Sequence, residues 1–387
     1  MTTAPLWTTA DIAHMTLALQ LAERGLYTTT PNPRVGCVLV RDGKIVGTGW
    51  HQRAGEPHAE ILALRMAGAQ AQGATAYVTL EPCSHHGRTP PCADALVQAG
   101  IQRVVAAMQD PNPLVSGQGL ARLANAGVMV ECGLLETEAH RLNPGFIKRM
   151  RYNLPWLRIK TAASLDGRTA LNNGISQWIT GTAARQDVHA WRARSCAMLT
   201  GIGTVLADNP RLTVRDIDTP RQPWRIVLDS QLRTPPQANI LDTPGTLIVC
   251  ATYFSDRAAA LESRGAEILL LPNDNQQIDL SRLLTLLAQR GVNEIMVEAG
   301  ATLNGAFLTQ QLVDEWIAYI APTILGNHAR SLFTLPELTS LTQAQHGTIT
   351  DIRQIDTDCR LILQFERHPH NNHERASTDR GEMNGLA

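Results

Sequence analysis

Aromatic side chains are scarce in this chain, at 4% of 387 residues, and its formal charge nearly cancels, with 34 Lys and Arg against 35 Asp and Glu. A nucleic-acid groove needs a cationic surface and, for single strands, aromatic platforms on which bases stack. Nucleic acid as the main partner is therefore disfavoured, while a local basic pocket for one phosphate stays open. No apolar run is long enough to span a bilayer. The opening MTTAPLWTTADIAHM lacks the basic and apolar regions of a secretory signal. Seven cysteines, an odd number spread along a long chain, do not make a disulfide framework. The cytoplasm, where thiols stay free for metal, is the expected compartment. There is no internal repeat and no Gly-x-Gly-x-x-Gly fingerprint: Gly201-Ile202-Gly203 is followed by Leu206 where a third glycine would stand.

What is present suits a soluble α/β chain with an ample core, at 44% hydrophobic and 18% charged residues. The length predicts two domains. In the first, helical spacing runs from Thr9 to Arg24 and a hairpin pattern spans Val35 to Trp50 around Asp42-Gly43. Pro57 and Pro91 are each expected to open a helix. Strands are expected at 75–80, 103–108 and 129–131, and a further helix at 119–126. The second domain repeats strand-helix alternation from Trp156 to Glu366, with the boundary expected in residues 149–154. The polar, aperiodic stretch from His368 to Ala387 reads as a disordered tail.

His58-Ala59-Glu60, then Pro82-Cys83 and Pro91-Cys92, offer one imidazole, two thiols and a carboxylate. Catalytic zinc takes three protein ligands and keeps one position for water. Zinc lowers the pKa of such a water from about 16 toward roughly 7. A nearby Glu that does not bind the metal shuttles protons in the zinc deaminases. Glu60 fits that role, with His58, Cys83 and Cys92 as ligands. Eight residues separate the two cysteines, against two in the general deaminase signature. The alternative is a structural site, with His85 or His86 as fourth ligand; such a site gives Glu60 no role. In the second domain, Glu298 to Ala306 reads as a strand end, a small-residue loop and a helix start whose amides can hold a phosphate. A plain strand-to-helix turn reads the same way.

Pro31-Asn32-Pro33-Arg34-Val35-Gly36-Cys37-Val38, His51 to Glu60 and Glu81 to Cys92 together resemble the bifunctional riboflavin-biosynthesis deaminase–reductase family, which shares the long cysteine spacing. Lys160 to Arg168, Ser176-Gln177-Trp178-Ile179-Thr180, Thr204 to Pro210 and Val297-Glu298-Ala299-Gly300 extend the resemblance over about residues 10–367. It implies an α/β chain with a cytidine-deaminase-like domain at residues 1–151, a dihydrofolate-reductase-like domain at 152–367 and a tail at 368–387. The implied cofactors are zinc and NADPH. The implied substrate is a small phosphorylated pyrimidine, with neither nucleic acid nor membrane as partner and a homo-oligomeric assembly, dimer or tetramer. By the same resemblance, Asn32, His51, His85 and Arg88 would contact the deaminase substrate. Ala162, Trp178, Thr204, Asp208, Ser230, Gly300, Ala301, Thr302, Leu303, Asn304, Gly305 and Ala306 would contact NADPH. Ser176, Arg192, Leu212, Arg215 and Glu298 would contact the reductase substrate, the two arginines suiting a phosphate. The alternative is a zinc deaminase of another nucleoside or nucleic-acid base, joined to a non-catalytic domain.

Overall fold

A computed structural model describes residues 7–84, 91–113 and 115–365. Its first part runs α1 (Thr9–Glu23), β1 (Gly36–Arg41), β2 (Lys44–Trp50), α2 (Ala59–Ala67), β3 (Thr75–Val78), α3 (Cys92–Gln98), β4 (Arg103–Ala106), α4 (Gln118–Asn125), β5 (Met129–Cys132), α5 (Glu136–Leu142) and α6 (Pro144–Tyr152). The strands form one mixed sheet in the order β2-β1-β3-β4-β5. The hairpin β1–β2 is antiparallel, and β3, β4 and β5 run parallel. The period of two sends Cys37 and Leu39 to one face, against α2, α3 and α4. It sends Val38 and Val40 to the other, against α1, α5 and α6. Both faces are covered, which is why the strands read as continuous apolar runs.

The second part continues with β6 (Trp156–Ser164), β7 (Arg168–Ala170), α7 (Thr182–Arg194), β8 (Ala197–Gly201), α8 (Ile202–Asp208), β9 (Trp224–Leu228), β10 (Thr246–Cys250), α9 (Ser255–Glu262), β11 (Ala266–Leu270) and α10 (Leu280–Gln289). Then come β12 (Glu294–Val297), α11 (Ala301–Thr309), β13 (Glu315–Ala321), β14 (Arg330–Ser331), β15 (Gly347–Ile355) and β16 (Asp358–Phe365). Its large sheet has the order β11-β10-β9-β8-β12-β6-β13-β16-β15. The first seven strands in that order are parallel; β16 and β15 are added antiparallel. Helices α10 and α11 cover one face, and α7, α8 and α9 the other. After β8 the chain progresses outward one way along the sheet, and after β12 the other way. The carboxyl ends of these adjacent strands therefore form a switch-point crevice, the usual place for a ligand in such a sheet.

Several boundaries differ from the sequence expectation. Helix α2 starts at Ala59, with His58 as its extended cap residue, and α3 starts at Cys92, with Pro91 as its cap. Each proline thus sits just outside its helix instead of opening it. Helix α6 runs through most of the expected boundary at 149–154, leaving residues 153–155 as the connection. Residues 368–387, the expected tail, lie outside the described residues.

Candidate active sites

The first site forms where α2, α3 and the end of β3 meet. Helix α2 can lie close on β2 because β2 carries Gly47 and Gly49. A Cβ at Gly49 would stand 2.2 Å from the Ala59 carbonyl oxygen, and one at Gly47 would stand 2.3 Å from that of Ala63. The His58 side chain makes no capping bond, so its ring is free to turn inward. Its Nδ1 lies 3.6 Å from Cys83 Sγ and 3.3 Å from Cys92 Sγ. A tetrahedral metal with ordinary Zn–S and Zn–N bonds would separate its N and S ligands by roughly 3.6 Å, so these three atoms fit a common zinc ion. Cys83 Sγ accepts from the Cys92 backbone N–H at 3.3 Å. The Cys92 thiol, that amide and the His58 ring hold the Cys83 thiol well below its ordinary value, while Cys92 itself is pushed up. A bound dication deprotonates a coordinating thiol outright.

Glu60, only 3% exposed, lies on the first turn of α2 and lines one cavity of about 280 Å³ with His58, Cys83, Asn32 and His51. Its Oε2 is buried without a hydrogen-bond partner. Burial raises its carboxyl to about 7, against the pull of the His58 ring. On the opposite wall, burial pushes the His51 pKa down and favours the neutral ring. Its Nδ1, 3.2 Å from the Pro57 carbonyl, must be the donor. Its Nε2 then accepts from Asn32 Nδ2 at 3.1 Å. That fixes the Asn32 amide and leaves its Oδ1 available to a ligand. His85 and Arg88 lie outside the described residues.

The cavity has further walls that motif reading did not assign: Asp110, Asn112, Val115, Phe146 and Met150. The loop carrying the first three is anchored by Glu81, whose carboxylate accepts from the backbone N–H groups of Asp110, Gly117 and Gly119 at 2.8–3.0 Å. The adjacency of Glu81 to Pro82-Cys83 was visible in the sequence, but its anchoring role depends on a loop thirty residues away.

The second site sits on the crevice of the large sheet. Helix α11 begins after the exposed cap residue Gly300, and α8 begins after Gly201; neither has a side-chain cap bond. A Cβ at Gly201 would stand 3.3 Å from Leu303, so the two helix starts are neighbours. Their free N–H groups fit the phosphates of a dinucleotide. Ala162 lies near the carboxyl end of β6, Thr204 and Asp208 on α8, which follows the carboxyl end of β8, and Ser230 just after β9. Within 300–306, Gly300, Ala301, Thr302 and Leu303 stand at the helix start, and Ala306 lies deeper along it. Asn304 and Gly305 face inward. Asn304 Nδ2 donates to the Ala299 carbonyl at 3.0 Å, and a Cβ at Gly305 would stand 1.9 Å from the Thr334 carbonyl.

Beside these groups, Arg192 from α7 forks onto Glu298 with bonds of 2.7 and 2.9 Å, and Lys160 Nζ lies 3.9 Å from the same carboxylate. Burial alone would raise Glu298, but Arg192 and Lys160 hold it down at about 2. Leu212 and Arg215 come from the following loop, where the Arg215 N–H donates to His189 Nδ1 at 3.3 Å. Arg192 is therefore a half-buried cation paired with Glu298. Asp166 accepts from the Leu325 and Gly326 N–H groups at 3.1 and 2.7 Å and fixes their loop. Ser176 and Trp178 lie on the loop between β7 and α7. Trp178 is 68% exposed, with the Arg185 guanidinium 4.4 Å from its ring centre.

Residues 8–108 match the cytidine and deoxycytidylate deaminase zinc-binding region, and residues 155–359 match the RibD C-terminal domain. The chain is 53% identical to riboflavin biosynthesis protein RibD of Escherichia coli, over 91% of this chain and 99% of that protein. The chain belongs to the RibD family. Identity to the Haemophilus influenzae RibD is 47%, over 91% of this chain and 96% of that one. The solved structure of Acinetobacter baumannii RibD superposes with a TM-score of 0.86 at 48% identity, covering 92% of this chain and 99% of that one. The Thermotoga maritima diaminohydroxyphosphoribosylaminopyrimidine deaminase/5-amino-6-(5-phosphoribosylamino)uracil reductase superposes with a TM-score of 0.81 at 31% identity, covering 92% and 99%. Like other RibD chains, this one joins a zinc-binding deaminase domain to an NADPH-dependent reductase domain of dihydrofolate-reductase-like fold. Among the described residues, no helix is long and apolar enough to cross a membrane.

Proposed function

We propose that the first site deaminates 2,5-diamino-6-(5-phosphoribosylamino)pyrimidin-4(3H)-one, and that the second reduces the ribosyl chain with NADPH to give 5-amino-6-(5-phosphoribitylamino)uracil. Supporting the first step is the buried, unpartnered Glu60 Oε2 in the same cavity as His58 and Cys83. A structural metal site gives such a carboxylate nothing to do. His58, Cys83 and Cys92 would hold zinc, which when bound would supply an acidified water. Glu60 takes one proton of that water and gives it to the ring nitrogen as the water oxygen bonds the amine-bearing carbon. It then moves the second proton, from the resulting hydroxyl, to the amine, whose C–N bond breaks as the carbonyl forms and ammonia departs. Asn32, oriented by His51, accepts from a ring N–H through Oδ1. By the family resemblance, His85 and Arg88 are further substrate contacts, the Arg88 charge suiting a phosphate.

In the reductase site, Thr204, Asp208, Ser230, Ala162, Trp178 and the 300–306 turn hold NADPH, with Asn304 and Gly305 setting the shape of that turn. Ser176, Leu212, Arg215, Arg192 and Glu298 hold the substrate. Arg215 is the cation free to face the phosphate, because Arg192 is committed to Glu298. NADPH supplies the hydride; the chain's own part is orientation and exclusion of water. The domains divide at the 153–155 connection, just beyond the expected 151/152, with the tail at 368–387, and the enzyme works in the cytoplasm as a homo-oligomer.

The test is incubation of the zinc-loaded chain with the diaminopyrimidinone ribosyl phosphate, with and without NADPH. Ammonia release without NADPH, and NADPH consumption only after deamination, are expected. NADPH consumption with no ammonia release would overturn the order and the first activity.

A further inference from the structure

The loop that carries Asn32 into the deaminase cavity is gripped from the reductase domain. The Pro31 carbonyl accepts from Asn293 Nδ2 at 3.0 Å and from the Arg149 guanidinium at 3.2 Å. Arg149 also donates to Asn293 Oδ1 at 2.5 Å, so the Asn293 amide can point only one way. Thr30 Oγ1 lies 2.9 Å from Cys196 Sγ, at the start of the reductase sheet. Arg34 reaches across to Glu294 Oε1 at 2.6 Å, while its backbone N–H and carbonyl are both held by the Asn143 side chain, at 2.8 and 2.9 Å.

Asn32 stands between these anchors. The peptide group joining Pro31 to Asn32 is planar, so its carbonyl and its N–H move together. The carbonyl is pinned by Asn293 and Arg149; the N–H donates to the Thr29 carbonyl at 2.9 Å. Holding that plane at both edges fixes where the Asn32 backbone enters the cavity, and the bond to His51 then sets the direction of its side chain. On its far side Asn32 bonds His51, whose ring meets the His58 ring edge-on with centroids 5.4 Å apart. A continuous line of contacts thus runs from Asn293, just before β12, to a proposed zinc ligand. Asn293 is buried and does not line the deaminase cavity.

We propose that Asn293, a residue of the reductase domain, is a positioning residue for deamination, acting through Pro31 on Asn32. The inference rests on the deaminase reading of the cavity. Asn293→Asp keeps the oxygen that accepts from Arg149 but turns a carboxylate oxygen toward the Pro31 carbonyl. Loss of that one hydrogen bond is expected to raise the deaminase KM roughly five- to tenfold. The deaminase kcat, the zinc content and the reductase kinetics on already deaminated substrate should stay near wild type. Arg149→Lys, which keeps the charge but loses the planar fork, should shift the deaminase KM the same way and decides the matter if Asn293→Asp does not fold. An unchanged deaminase KM, or parallel loss of both activities with stability, would overturn the proposal. Absence of ammonia release by the wild-type, zinc-loaded chain would instead remove the deaminase reading itself.

Discussion

A single carboxylate decides the chemistry of the first site. Glu60 is sealed in the cavity with one oxygen unpartnered, and burial places its carboxyl near neutrality, where it can both accept and return a proton. Glu60→Gln preserves shape and should retain zinc while ammonia release falls by several orders of magnitude; metal analysis beside a turnover assay checks both. Glu298 shows the opposite balance, since its carboxyl lies below its ordinary value of 4.5, at about 2. A lowered pKa means the stabilisation is complete above 4.5 and is lost as pH falls through the window down to about 2. Thermal melts between those limits should show the reductase domain losing roughly 3 kcal/mol, and Glu298→Gln should flatten that slope. The sequence made the metal set legible because His58, Cys83 and Cys92 carry their chemistry in residue type and neighbourhood. It could not show that Arg192 is committed to Glu298, because 106 residues separate the partners.

Among the elements, α2 matters most, because its cap residue presents the imidazole and its first turn the carboxylate. Its seat on β2 depends on Gly49, whose missing side chain lets the Ala59 carbonyl approach. Gly49→Ala should cost roughly 1–3 kcal/mol through overpacking, and displacing the helix start should also speed zinc loss to a chelator. Denaturant titration and a zinc-release assay read the two effects separately; an unmoved release rate would mean that the helix absorbs the methyl group elsewhere. Strands buried on both faces, such as β1 and β12, were legible as apolar runs. Edge strand β15 was not, because it is exposed along nearly its whole length and carries no apolar stripe. Helix α8 was also missed: it is seven residues long and starts in a Gly-x-Gly pair. A helix of about two turns, held by tertiary packing, leaves little periodicity to read.

Across the whole molecule, the two sites lie on separate sheets, and among the described residues the metal-ligating group belongs wholly to the first. Chelation of zinc should therefore abolish ammonia release while NADPH oxidation with deaminated substrate persists. Coincident loss of both activities would place a shared structural metal between them. The order of the domains was readable from the sequence; how they grip each other was not, since no local pattern marks Asn293 or Cys196 as neighbours of residues 30–34. The Glu294 carboxylate is buried among Arg34, Arg158 and Arg194, two of them its own domain's and one from across the boundary. Cutting the polypeptide between the halves would strand a guanidinium on one fragment and leave its former counter-charge short of a partner on the other. Fusion therefore does more than join two activities: it keeps the Arg34 guanidinium supplied with the carboxylate that neutralises it.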